Sequence, residues 1–565
     1  MATPATAVRD DEAWLPPPAL RPRRLYRLPE LGRYPPVLNV TEELLDRHVG
    51  SGRGERAAIV CGDLTLSYRE VLEAASRLAG ALRRLGVGAG DPVVIHSLNE
   101  PQAVIANFAV LRLGGIVVPT SPMLPPAALA HVVNDSGARV IVACAALTGT
   151  VAAALPDCPD VAQVVVFGSP EAARARGFAA AEELAAAAEP ELAPVRRPRT
   201  AVAVVFYSSG ILEPSVGMAH LAEELLIIPD VYGRHGWGVR PDDVVAGAGP
   251  LAFAGGYSSS ATIPFRYGAT SVAVPLDRST PDGMLDLVRR HRVTLLSALP
   301  TGFHQMLLAS GPSARDDLAS LRVVAGGGEP LAPETAAGWR ERLGHEIYEG
   351  FGTNGMFHVF ITSAVARRVK PGAIGVALPG YEVRAVADGG APAAPGELGR
   401  LWARGPVGTT FWGPPHQAEA LAARQRAIVD GDWVLIGDHV TIDEEGFVTF
   451  VAREEDLIRR RGRAFGPRAI EAAAGRHPAV ADVGAIGVPG PDGEGAARLY
   501  AVLAAGEQPV PGLRHDLVRR CREGAGDPEL PVEIEFVTSL PRAPHGALLR
   551  RALWERWLRQ NKEDI

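Results

Sequence analysis

From Val40 onward the chain alternates between two kinds of apolar spacing. Tyr68 to Leu85 repeats its apolar residues with helical period, and Glu100 to Leu113 does the same, so both are predicted helices. Around them lie short runs with unbroken apolar centres: Asp91–His96, Gly115–Pro119, Val140–Val142 and Val164–Phe167. Runs apolar at every position read as strands covered on both faces. The alternation therefore predicts an α/β fold of parallel sheets flanked by helices. A second such stretch covers Ala201 to about Gly380, and Gly396–Phe450 reads as β-rich, with turns at Asp430-Gly431-Asp432 and Asp443–Gly446. Ala179–Ala193 reads as an Ala/Glu helix, followed by a surface connector at Pro194–Pro198. The proline- and arginine-rich start (Pro16-Pro17-Pro18, Arg21-Pro22-Arg23-Arg24) is expected to wrap the surface without regular structure. A charged segment, Arg453–Arg463, marks a boundary. The expected plan is an extension (1–35), a large domain (36–452), a hinge (453–458) and a small C-terminal α/β domain (459–565).

Length agrees with more than one domain, since 565 residues exceed what one hydrophobic core supports. The composition, 47% hydrophobic and 21% charged, is that of a soluble globular protein. A net charge of −7 with both signs interspersed excludes a nucleic-acid footprint. Cys61, Cys144, Cys158 and Cys521 lie far apart without CxxC or CxxH spacing, so neither a disulfide framework nor a metal site is expected. No apolar run approaches the roughly 18 residues of a membrane helix, and Met1–Asp11 lacks a leader pattern. A cytoplasmic location, without membrane or nucleic-acid partners, is the expectation.

Val204-Val205-Phe206-Tyr207-Ser208-Ser209-Gly210 is an apolar strand running into small polar residues, the way a loop presents N–H groups to an anion. Alone, this pattern is more often an ordinary turn. Its company is more telling: Leu398–Pro406, Asp432-Trp433-Val434-Leu435-Ile436-Gly437-Asp438, Arg453-Glu454-Glu455-Asp456-Leu457-Ile458, and Leu540-Pro541-Arg542 with Gly546 follow in order. From Pro29 to Trp557 the chain resembles the adenylate-forming superfamily of acyl-CoA synthetases, adenylation domains and luciferases. Within it, Leu28–Leu31, Pro250-Leu251-Ala252-Phe253 and Met356-Phe357-His358-Val359-Phe360 resemble 2-aminobenzoate– and benzoate–CoA ligases.

The resemblance implies a large N-terminal domain, made of two α/β subdomains and a β-rich one, and a small mobile C-terminal domain with a hinge at Glu455. It also implies a nucleotide platform of Ser208, Ser209, Gly210, Gly328, Glu329, Pro330, Phe351, Gly352 and Thr353. There, Phe351 would stack on adenine, Asp438 would accept the ribose hydroxyls, and Arg453 would reach ribose or phosphate. The implied aryl pocket is Phe253, Gly256, Gly327, Asn354, Met356 and His358, with Phe253 readable either as a stacking surface or as plain core. ATP or AMP with Mg²⁺, and CoA, are the implied cofactors; a small aromatic carboxylic acid is the implied partner, with a homodimer or a pathway partner left open.

Three departures count against the ATP and Mg²⁺ part. Where the superfamily's phosphate loop carries hydroxyls, a glycine and a lysine, this chain has Ile211-Leu212-Glu213-Pro214-Ser215-Val216. Val216 or Ser215, depending on register, replaces the lysine. Gly355 in Asn354-Gly355-Met356-Phe357-His358 replaces a glutamate that helps hold Mg²⁺, and Ala547 replaces the C-terminal lysine. Conventional adenylation is therefore expected to be impaired. The nominal chemistry is activation of an aromatic carboxylate; the competing readings are a repurposed scaffold, acting for example in diazotisation or in N–N or amide bond formation, and a catalytically silent binding partner. His220 lies near Ser208 and Ser209, but without the context of a nucleophile elbow.

Overall fold

The computed structural model describes residues 11–189, 192–208, 215–275, 279–461, 463–490, 492–542 and 548–561. The unbroken apolar runs become sheet because helices cover both of their faces. Strand β1 (Val202–Tyr207), buried at every position, turns back antiparallel into β2 (Gly217–Leu221), with Tyr207 opposite Gly217. These belong to an eight-stranded sheet in the order Phe411–Trp412, β2, β1, Ile116–Thr120, Pro92–His96, Val140–Cys144, Gln163–Phe167 and Ala179–Ala180. In a second sheet, of nine strands, β3 (Val323–Gly327) lies parallel to β4 (Ile347–Gly352), which reverses into antiparallel β5 (Val359–Thr362). Helix α1 (Tyr68–Arg84) starts on a capping box, Ser67 with Glu70, and turns its apolar face inward.

The chain divides into two compact units, Met1–Glu382 with Ala403–Val434, and Val383–Trp402 with Leu435–Ile565. The expected hinge at 453–458 falls inside the second unit. That unit holds β6 (Trp433–Ile442, from Leu435 onward), which pairs antiparallel with β7 (Val448–Arg453). It also holds a three-stranded sheet, β8 (Val480–Pro489), β9 (Gly495–Leu503) and β10 (Val532–Phe536). Helices α2 (Pro467–Gly475) and α3 (Pro511–Ala525) pack on it through Ile470, Leu513, Leu517 and Cys521. Among the described residues, no helix is long and apolar enough to cross a membrane.

Two elements differ from expectation. The Ala179–Ala193 helix shrinks to Ala181–Ala186, because Ala179–Ala180 pairs with Val165–Val166 as an edge strand. At its other end the carbonyls of Leu184 and Ala187 accept from Arg84, and that of Ala188 from Arg77, so arginines of α1 end the helix. Inside the stretch read as β-rich, Ala418–Ile428 is helical, as its run of Ala, Glu, Leu, Arg and Gln favours. The N-terminal stretch forms single 3₁₀ turns at Asp11–Trp14, Pro18–Leu20 and Leu31–Arg33 and lies on the first unit, Trp14 stacking on Trp412 at 5.3 Å.

Candidate functional site

At the end of β1 the chain is clasped to the start of β2. Ser208 N–H donates to the Val216 carbonyl (3.1 Å), Val216 N–H to Ser208 Oγ (3.2 Å), and the Ser215 hydroxyl to the Ser208 carbonyl (2.8 Å). His131 Nε2–H donates to the Ser215 carbonyl at 2.7 Å. Ser209, Gly210 and the Ile211–Pro214 loop lie outside the described residues, as do Gly546 and Ala547. Both positions weighed for the missing lysine are thus accounted for: Val216 is a buried apolar side chain, 8% exposed, and Ser215 spends its hydroxyl on backbone.

The ends of β3 and β4 come together because glycine lets backbone meet backbone. A Cβ on Gly327 would stand 2.8 Å from the Gly350 carbonyl oxygen, and one on Gly352 would stand 2.2 Å from that of His358. Gly328 follows at φ +84, exposed together with Pro330. Glu329 Oε2 accepts from Thr301 N–H at 3.3 Å, and Phe351 meets Phe360 edge-on at 5.6 Å.

Asn354 joins the segments. Thr353 Oγ1 caps the turn by accepting from Met356 N–H at 3.2 Å. The Asn354 amide donates to the Tyr207 carbonyl (3.1 Å), and its oxygen accepts from Ala254 N–H (3.2 Å). One side chain therefore links the end of β1 to the segment that begins with half-buried Phe253. Gly256 is packed against its own chain there, where a Cβ would stand 2.1 Å from the Pro250 carbonyl oxygen. His358, hydrogen-bonded to the backbone of Gly255, lies 4.8 Å ring to ring from Tyr232; burial pushes its pKa down to about 4, so the ring is neutral near pH 7. Met356 is fully buried, and Phe357 holds φ 63, ψ −32 while stacking on His220 at 4.7 Å. A backbone conformation of that kind costs about 1–3 kcal/mol and persists only where packing enforces it.

Beneath Asn354 runs a chain of buried charge that sequence reading missed. His220 Nε2–H donates to the Asn354 carbonyl at 2.7 Å, and its Nδ1 meets Glu224 Oε2 at 2.8 Å. Arg24 binds the other Glu224 oxygen at 2.9 Å. Burial pushes the Glu224 carboxyl up, but Arg24 and His220 outweigh it and hold the group below the usual carboxylate range. No local signal marks this set, because Arg24 and Glu224 lie 200 residues apart.

Gly355 is buried, and the space a side chain would take there is filled: its Cβ would stand 2.5 Å from Thr409 Oγ1 and 2.8 Å from Thr409 Cγ2. Thr409 is held in turn, its carbonyl accepting from Gln425 Nε2 (2.9 Å) while Gln425 Oε1 accepts from Phe411 N–H (3.0 Å). In the second unit, Asp438 and Arg453 are register partners across β6 and β7. Burial pushes Asp438 up to about 7, with Arg453 opposing. Glu455 stands exposed in the Glu454–Asp456 turn.

Residues 45–412 match the family described as AMP-binding enzyme, and 469–547 match its C-terminal domain. The chain belongs to the AMP-binding enzyme family. It is 29% identical, over 92% of this chain and 94% of that one, to a 4-hydroxybenzoate–CoA/benzoate–CoA ligase of Rhodopseudomonas palustris. It is 27% identical to a benzoate–CoA ligase of Thauera aromatica over 92% of this chain and 96% of that one. Among solved structures it resembles the anthranilate CoA ligase AuaEII in complex with anthranoyl-AMP, with a TM-score of 0.83 and 25% identity over 93% of this chain and 98% of that one. The α/β architecture, a large N-terminal and a small C-terminal domain, is that of the family.

Proposed function

We propose that this chain is an acyl-CoA-ligase-like protein for an aromatic, aminobenzoate-type carboxylic acid, and that its ATP-dependent adenylation step is weakened or replaced. The observation that carries this reading is the Asn354 amide, which makes the end of β1 and the Phe253–Gly256 segment one piece. A nucleotide beside Ser208–Gly210, Gly328–Pro330 and Phe351–Thr353 would then meet an acid seated at Phe253, Gly256, Gly327, Met356 and His358. Asp438 and Arg453 would serve the ribose, and Glu455 the hinge. ATP or AMP and CoA are the cofactors of this reading. The benzoate–CoA and anthranilate CoA ligases among the similar proteins support the aryl choice. The weakened step is supported by a valine and a backbone-bonded serine where the lysine would stand, and by Thr409 in the place of a 355 side chain.

Carboxylate-dependent pyrophosphate exchange, run beside ligand-induced thermal shift, tests this. Loss of a single preorganised donor lowers a rate by about 10²–10³. With benzoate, 2-aminobenzoate and 4-hydroxybenzoate, exchange is expected at least that far below a lysine-bearing aryl–CoA ligase. An aminobenzoate should still raise the melting temperature, because binding to the native state stabilises it by mass action. Robust exchange would leave a plain aryl–CoA ligase; an absence of shift with every aryl acid would remove the pocket assignment.

A further inference from the structure

The turn that carries Asn354, Met356 and His358 is gripped from beneath by one ring. The Asn354 carbonyl takes two donors, Phe357 N–H at 3.2 Å within the turn and His220 Nε2–H at 2.7 Å from β2. The His220 ring also lies on the Phe357 ring, with centroids 4.7 Å apart and planes 30° from parallel. Phe357 is the residue whose backbone stands at φ 63, ψ −32, a conformation that lasts only while its surroundings impose it.

A carboxylate orients that ring. Glu224 Oε2 lies 2.8 Å from His220 Nδ1 and accepts from Leu221 N–H at 3.4 Å. Arg24 holds the other oxygen, Oε1, through Nε at 3.1 Å and Nη2 at 2.9 Å. Two lone pairs cannot face each other across the 2.8 Å gap, so a proton lies between Glu224 and Nδ1. Arg24 and His220 keep the carboxyl ionised, which assigns that proton to the ring. His220 then donates from both nitrogens, as only an imidazolium does. A cation over the face of Phe357 is also attracted by it. The neighbouring titratable groups have their own arrangements: Glu223 pairs with Tyr26 and, at 3.2 Å, with Arg199, and burial pushes the Tyr381 phenol up. His220 and Glu224 are fully buried and the Arg24 side chain is 10% exposed, so water cannot stand in for a lost partner.

We propose that His220 is a positioning residue of the acid pocket: charged, and clamped by Glu224 and Arg24, it imposes the strained turn on which Asn354, Met356 and His358 stand. This rests on the aryl-acid reading above. It goes beyond that reading in placing control of the pocket's fit beneath it, with an arginine of the leading arm at the far end of the clamp.

Arg24 is the member to vary, because its loss leaves the rings packed. Arg24→Met removes the charge and Arg24→Lys restores one. In hydrogen exchange of the full chain followed by mass spectrometry, peptides over 352–359 of Arg24→Met are expected to exchange about tenfold or more faster than in the wild type, with Arg24→Lys between the two. Peptides over 140–144 should not change. An unchanged turn, or equal acceleration in both regions, overturns the proposal, since general loss of stability does not single out one turn. Calorimetry with 2-aminobenzoate, well below each melting temperature, should show Arg24→Met binding about tenfold or more weakly, with Arg24→Lys recovering part of the loss. Equal affinities overturn the positioning role. A wild type that binds no aryl acid removes the aryl reading itself, and is told apart by the exchange result, which needs no ligand. Nitrogen-15 NMR of histidine-labelled wild type at neutral pH should show His220 protonated on both nitrogens, its resonances identified by their loss in His220→Gln or their shift in Arg24→Met. A neutral ring there overturns the charge assigned to it.

Discussion

Two places in the segment from Gly352 to His358 have been treated differently. Where Gly352 meets His358, backbone approaches backbone so closely that a Cβ on Gly352 would fall 2.2 Å from a carbonyl oxygen, and aromatic rings fill the space behind. At Gly355, in the middle of the segment, the room for a side chain has been handed to Thr409. The first arrangement concerns shape; the second concerns charge. The difference teaches that these two properties of one loop can be changed separately, because close packing is local whereas the handling of phosphate charge depends on side chains gathered from distant segments.

The comparison breaks most readily from below. Glu224→Ala leaves Arg24 and His220 without their common partner in a place closed to water, and removal of one member of a buried ion pair typically costs about 3–5 kcal/mol. Urea unfolding should show a loss of that size, and a loss under about 1 kcal/mol would mean that the turn at Asn354 is not supported through this chain. Gly352→Ala comes next: forcing a methyl into that contact should cost about 1–3 kcal/mol, by the same measurement. An unchanged midpoint would say that the Gly352–His358 contact is looser than its distance. Phe253→Ala should be milder. It removes a stacking surface worth about 0.5–1.5 kcal/mol, so an aminobenzoate should bind up to about tenfold more weakly while the melting temperature holds.

Smallest, and on the charge side, is the titration of Asp438. Its carboxyl is raised to about 7 in the folded chain against about 3.9 unfolded, so between those values the folded state holds a proton that the unfolded state has lost. Stability should therefore fall as pH rises from about 4 through 7 and level off above that, modestly because the group is only partly buried. Melting temperatures of the wild type and Asp438→Asn from pH 5 to 9 should converge at the acid end and separate at the alkaline end, the variant higher. Parallel curves would mean that the group titrates normally.

The fold was legible where one physical signal dominated. Runs with unbroken apolar centres such as Pro92–His96 and Val140–Cys144 emerged as strands within a residue or two of their expected bounds, since burial on both faces leaves little else for them to be. The Ala179–Ala193 helix was misjudged because its ends are decided by partners elsewhere: an edge pairing at Val165–Val166 and the arginines of α1. The site shows the same division. Gly327, Gly352 and Asn354 could be picked out because they stand in contiguous motifs. Thr409, Gln425, Glu224 and Arg24 could not, because nothing local distinguishes a threonine that fills a void from one on a surface, and the spacing from Arg24 to Thr410 is 386 residues.

Arg24 carries one more consequence. Its guanidinium donates to the Pro22 and Gly408 carbonyls as well as to Glu224, so this arginine of the leading arm is anchored by groups 200 and 384 residues later in the chain. A protease that trimmed the amino end past this residue would uncover Trp412, strip Glu224 of its guanidinium and unsettle the turn at Asn354 from beneath. Such a clipped product would keep nearly all of its mass on a gel, so the integrity of the leading arm has to be checked by mass spectrometry before any preparation is judged inactive.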